Sequence, residues 1–138
     1  MKLAIDQQPI GASVGAECDL FQFYESGIFN GTWTEIIDDT QDPPVEITHN
    51  CPNSPQDLDH AVVLVGYGHD VDLNEYFILK NTWGLEWGDK GFMFINATER
   101  SDSLSVAGIF NQAVIVNSGA ISTIAASFGL LAAAAVYF

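Results

Sequence analysis

The sequence predicts a mainly β chain: an antiparallel, barrel-like sheet with little helix, followed by an apolar C-terminal segment. Three observations predict it. Apolar runs of strand length recur between glycine, proline and acidic residues. The run Ala61-Val62-Val63-Leu64-Val65-Gly66-Tyr67 is continuous and rich in valine, which suits a central strand buried on both faces. The segment 118–138 carries no charge over 21 residues.

The elements follow in order. Residues 10–16 are small and apolar and follow Pro9, so they read as a buried strand with close neighbours. Residues 19–24 are rich in aromatics and suit a short helical turn. Gly27-Ile28-Phe29 leads into a loop. Residues 30–59 hold Pro43, Pro44, Pro52 and Pro55 and seven of the 18 acidic residues, and they read as a long loop or flap. Residues 61–67 and 75–80 are strands that can pair as a hairpin around Gly68-His69-Asp70. Residues 91–95 and 112–116 are two further strands. The chain divides into a sheet unit, 1–116, and a hydrophobic tail, 117–138.

The tail allows three readings. Its length spans a bilayer as a helix. Asn117, Ser118 and Gly119 are small enough for a removable lipid-anchor signal, although the usual polar spacer is nearly absent. A buried soluble helix is the third.

Composition excludes some functions. The formal net charge is −14, with 18 acidic and four basic residues, and no Lys or Arg lies between Lys2 and Lys80. Such a chain repels phosphate backbones, which excludes general nucleic-acid binding. The acidity fits solubility, or work at low pH. Cys18 and Cys51 are too few for a disulfide scaffold. With no Cys/His cluster, a structural zinc site is not expected. Asn30-Gly31-Thr32 and Asn96-Ala97-Thr98 match the glycosylation acceptor pattern, which favours a secretory route. The opening Met1-Lys2-Leu3-Ala4-Ile5-Asp6 has no apolar signal core, so a secreted form needs a signal upstream.

Two segments carry the chemistry. One is Leu58-Asp59-His60-Ala61-Val62, continuing to Gly66-Tyr67-Gly68. The other is Lys80-Asn81-Thr82-Trp83-Gly84-Leu85-Glu86-Trp87-Gly88-Asp89-Lys90-Gly91. His60 opens one strand and Asn81 follows the next, so antiparallel pairing brings both to one end of the sheet. An imidazole exchanges protons near neutral pH, and a carboxamide can fix which ring nitrogen holds the proton. Trp83 can cover that hydrogen bond and exclude water.

These segments resemble the histidine and asparagine motifs of the papain family of cysteine peptidases, which includes the cathepsins. The match runs through Asp59, His60, Ala61, Gly66, Tyr67, Gly68, Lys80, Asn81, Trp83, Gly84, Trp87, Gly88 and Gly91, with Thr82 in place of a serine. Gln8-Pro9-Ile10, Phe21-Gln22-Phe23-Tyr24, Gly27-Ile28-Phe29 and Gly108-Ile109 extend it, so that it covers about residues 4 to 116. The resemblance implies an α+β family fold, of which this chain is the β-sheet lobe and lacks the N-terminal helical lobe. It implies peptide hydrolysis through a cysteine thiolate, with His60 as acid–base, Asn81 as its orienting group and no cofactor. Trp83 would shield the dyad, and Trp87 would pack on the leaving-group side of the cleft. Ser13, Leu58 and Ala61 would line an apolar pocket for the substrate residue two before the scissile bond.

The nucleophile's own motif is absent. Cys18 lies 42 residues before His60 without a glycine–tryptophan context, and Cys51 sits in the flap. The expected partners are peptide or protein substrates and a separate helical lobe carrying the cysteine, with membrane attachment through 118–138. The compartment implied is secretory, lysosome-like or extracellular. The chain alone is expected to be inactive, as part of a longer peptidase or, alternatively, as a non-catalytic binding or membrane-attached module. Cys51 has three options: pairing with Cys18, pairing with a cysteine outside the chain, or staying free. In some cathepsins the partner would lie just before the Gly-Ile pair, where this chain has Ala107.

Overall fold

The computed structural model describes residues 1–98, 105–117 and 120–124. Among the described residues there are nine strands: β1 (Ile10–Val14), β2 (Ile28–Phe29), β3 (Thr32–Asp38), β4 (Val45–Asn50), β5 (His60–His69), β6 (Glu75–Lys80), β7 (Phe92–Asn96), β8 (Ala113–Asn117) and β9 (Ala120–Ile124). Two helical turns, α1 (Lys2–Ile5) and α2 (Asp19–Gln22), accompany them. Seven strands form one sheet in the order β2-β7-β6-β5-β1-β8-β9. All neighbours run antiparallel except β2 and β7. The expected barrel does not close: among the described residues the sheet is open, with β2 and β9 at its ends.

Alternation decides which face is core. Ile10, Ala12 and Val14 of β1, Val62 and Leu64 of β5, Phe77 and Leu79 of β6, and Met93 and Ile95 of β7 are all buried. They share one face because successive strand side chains point to opposite sides. Phe21, Tyr24, Phe29 and Trp87 pack over that face. The residues between them on β5 do not have a matching cover: Val63 is 37% exposed and Val65 38%. The valine-rich run is therefore buried on one face, not on both as its composition suggests. Such runs signal double burial only when something packs on each side, and here the second layer is absent among the described residues.

β5 and β6 form the expected hairpin. Asp70 closes its turn by accepting from the backbone N–H groups of Asp72 and Asn74 and from Asn74 Nδ2. The Gly-Tyr-Gly pattern has a packing cause. Gly68 lies opposite Tyr76, and a Cβ there would sit 2.8 Å from the Tyr76 hydroxyl oxygen. The ring takes the space that a side chain would need.

The flap is more ordered than its prolines imply. β3 and β4 pair as a freestanding antiparallel ribbon, with Trp33 stacked on His49 at 4.7 Å. The β-branched residues Thr32, Thr34, Ile36, Val45, Ile47 and Thr48 supply the strand preference. The Cys51 N–H donates to Gly31 O at 2.8 Å and closes the stem.

The tail also departs from expectation. β8 continues to Asn117 and pairs with β9, so the sheet runs past residue 116 into the segment expected to be helix. Ile121, Thr123 and Ile124 are β-branched and suit a strand. The rest of the membrane-helix expectation, residues 125–138, lies outside the described residues. Among the described residues no helix is long and apolar enough to cross a membrane.

Cys18 and Cys51 are joined in a disulfide, with Cα atoms 5.5 Å apart. The bond ties the residue before α2 to the foot of the ribbon across 33 positions. Constraining a loop of that length in the unfolded chain stabilises the fold by roughly 3–4 kcal/mol. The double substitution Cys18→Ser with Cys51→Ser should lower the unfolding free energy by a matching amount and steepen the urea transition, because the unfolded chain without the crosslink exposes more surface.

Candidate active site

Register builds the site. β5 begins at His60, β6 ends at Lys80, and Val63 pairs with Lys80. The beginning of one strand and the end of the other therefore meet. Asn81 then turns inward: its N–H donates to Gly91 O at 2.9 Å, and its side chain is buried. His60 Nε2 lies 2.8 Å from Asn81 Oδ1.

The proton position follows from a third group. The Thr82 backbone N–H also donates to Asn81 Oδ1, at 2.7 Å. A backbone N–H can only donate, so the atom it faces is the oxygen. Nε2 faces that same oxygen, so it carries the ring proton. The Nδ1 lone pair is left free to take and return a proton. Asn81 Nδ2 is buried without a hydrogen-bond partner among the described residues.

Aromatic rings enclose the pair. Trp83 lies tilted over His60 at 4.7 Å between ring centroids. Phe21 approaches His60 edge-on at 6.4 Å and Trp83 at 5.7 Å. Trp87 stands behind them, buried, with its Nε1–H donating to Gln22 O at 2.9 Å. It ties the loop after β6 to α2 and does not line the cleft beside His60. Gly88 makes the same loop possible: its φ is +58°, and a Cβ would lie 2.5 Å from Phe92 O.

The approach to His60 is fixed as firmly. A 3₁₀ turn over Pro55–Asp57 is closed by Ser54, whose hydroxyl and N–H both donate to Asp57 Oδ2. The Ser54 hydroxyl first, and then the Ser54 N–H, hold the Asp57 carboxyl below its ordinary value. Asp59 follows. Its N–H donates to Val14 O, and its Oδ1 accepts the Ala16 N–H at 2.7 Å.

A concavity of about 580 Å³ opens beside the imidazole. It is lined by His60, Trp83 and Asp59 together with Ala16, Glu17, Gln22 and Phe23. These last four carry no role in the sequence reading. Ala16 falls in the strand expected over 10–16, and Gln22 and Phe23 in an aromatic segment that extends the family resemblance, but neither signal points to a cleft. The residues expected to line a pocket stand apart from this concavity. Ser13 and Ala61 are cross-strand partners on the outer sheet face, while His60 pairs with Val14 on the core face. Leu58 packs against Gly108, where a Cβ would meet its Cδ2 at 2.7 Å. Among the described residues no group of three or more His, Cys, Asp or Glu is placed to hold a metal ion.

A sheet end that holds one tautomer of a half-exposed imidazole beside a cleft is acid–base machinery of the kind hydrolases use. The chain belongs to the papain family of cysteine proteases, whose family model matches residues 1–116. It is 35% identical over 121 residues to the cysteine endopeptidase RepA of Oryza sativa subsp. japonica, covering 87% of this chain and 26% of that protein. It is 34% identical over 112 residues to vignain of Ricinus communis, covering 80% of this chain and 24% of that protein. Among solved structures it resembles the bromelain protease of Ananas comosus, at TM-score 0.55 and 31% identity, over 79% of this chain and 40% of that one. The chain thus spans about a quarter of the length of these curated relatives.

Two outcomes check the geometry. Long-range ¹H–¹⁵N spectra should show neutral His60 with its proton on Nε2. Asn81→Ala should erase that preference and cost about 1 kcal/mol in urea unfolding, because two part-buried donors lose their acceptor. Separately, the Asp57 carboxyl should titrate below an ordinary aspartate in a carboxyl-carbon NMR titration. Its folded value is the lowered one, so its contribution holds above the unfolded value and disappears as pH falls through the folded one.

Proposed function

We propose that this chain supplies the acid–base half of a cysteine-type peptidase, with the thiolate contributed by a helical lobe outside the described residues. The contact between His60 Nε2 and Asn81 Oδ1 carries this reading. With Nε2–H held by Asn81, Nδ1 pairs as N–H with the thiolate. The thiolate attacks the peptide carbonyl, and Nδ1–H protonates the departing amine. Water then adds to the acyl-enzyme while Nδ1 takes its proton, and the thiolate leaves. Asn81 holds the ring through both transfers, and Trp83 keeps water off the hydrogen bond.

Neither cysteine of the chain fits the nucleophile's part, since both are spent in the disulfide. The exposed residues Ala61, Val63 and Val65 supply an apolar face of the kind a second lobe covers. The disulfide, together with the acceptor asparagines Asn30 and Asn96, supports a secretory or extracellular route.

Tested alone on a fluorogenic peptide, the chain should give background turnover. With a helical lobe bearing the thiol, hydrolysis should appear, and His60→Ala should lower kcat by about 10²–10⁴-fold. Turnover by the isolated chain, or labelling of Cys18 or Cys51 by a thiol-directed peptidase probe, refutes this assignment. Peptide binding without hydrolysis in the two-lobed protein instead identifies a non-catalytic binding module.

A further inference from the structure

We infer that Glu17 makes the cleft beside His60 select a substrate with a cationic side chain in the segment that leaves. This deepens the peptidase reading and rests on it.

Three observations support it. The imidazole that protonates the departing amine must stand next to that nitrogen. The concavity continuous with His60 and Trp83 therefore receives the chain on the leaving side. Glu17 is the second carboxylate lining that concavity, and it differs from the first. Both are exposed, but Asp59 Oδ1 already accepts the Ala16 N–H, while among the described residues no hydrogen bond or ion pair engages the Glu17 carboxylate. No described lysine lines the concavity to neutralise it.

Glu17 is also placed rigidly. The Cys18 N–H donates to Ala16 O at 2.8 Å, which makes a γ-turn centred on Glu17. Ala16 is held from one side by Asp59 and Cys18 from the other by its disulfide. The backbone under the carboxylate is thus fixed at both neighbours. The carboxylate therefore stays within reach of the cleft that Trp83 also lines, where an incoming ammonium group can pair with it. Solvent screening limits the gain to the range of an exposed ion pair.

The test uses the whole chain and three probes: lysyl-alanine amide, norleucyl-alanine amide and glutamyl-alanine amide. Each has a free α-amine like a departing segment; the lysyl and norleucyl side chains are of similar length and differ in charge, and the shorter glutamyl side chain reverses its sign. Binding is followed through the His60 ring and Trp83 indole signals in NMR. The lysyl probe should bind about two- to fivefold tighter than the norleucyl one. The ratio should shrink as salt is raised. Glu17→Gln should bring it to about one, and Glu17→Lys should favour the glutamyl probe. Asp39→Asn, in the distant acidic ribbon, should leave the ratio unchanged. A preference that survives in Glu17→Gln would come from the net charge of the whole chain and overturns the assignment. Equal binding of all three probes at His60 and Trp83 removes Glu17's role but leaves the peptidase reading standing. If no probe moves those signals, the peptidase reading of this cleft fails with it.

Discussion

The register between β5 and β6 is the constraint on which the site depends. Val63 faces Lys80, and from that pairing His60 and Asn81 arrive at one sheet end. A slip of one residue would turn His60 from the core face to the outer face, away from Phe21 and Trp83. The register is defended at several places. Leu64 and Leu79 are partners with 0% exposure each, so neither can move to the solvent face cheaply. The bond from the Asn81 N–H to Gly91 O carries the β6–β7 register one pair further and holds Asn81 at the sheet end.

Around this register the molecule uses local ties more than depth of burial. The sheet has one dry face and one face with exposed valines, so packing alone restrains the site from a single side. The missing restraint is supplied by directed bonds. Asp59 grips the end of β1, Trp87 grips α2, and the disulfide grips the foot of the ribbon. Each acts within a few residues of His60 or Asn81, or of the turn that faces them. The acid–base pair is therefore positioned by its own neighbourhood, whatever covers the outer face.

How much of this could be read from sequence varied with the range of the signal. The strands and the meeting of His60 with Asn81 were legible, because hairpin pairing follows from two adjacent apolar runs. The tautomer was not, since it depends on the Thr82 N–H, a backbone group that no side-chain motif displays. The ribbon was hidden by Pro43 and Pro44 at its tip, which outweighed the β-branched Thr and Ile on its arms. The partner of Cys51 could not be chosen by spacing, because connectivity is a property of the folded chain. Glu17 and Gln22 escaped notice for a similar reason: they reach the cleft through α2 and the disulfide, far from His60 in sequence.

The ribbon has a topological consequence. Its tip, residues 39–44, joins two halves of the chain that are otherwise knitted together: β1 lies between β5 and β8, and Cys18 is bonded to Cys51. A protease cutting at that tip would produce two polypeptides and yet release neither. The nicked molecule would keep His60 and Asn81 on one piece and Glu17 on the other, still covalently joined, and would separate on a gel only after reduction.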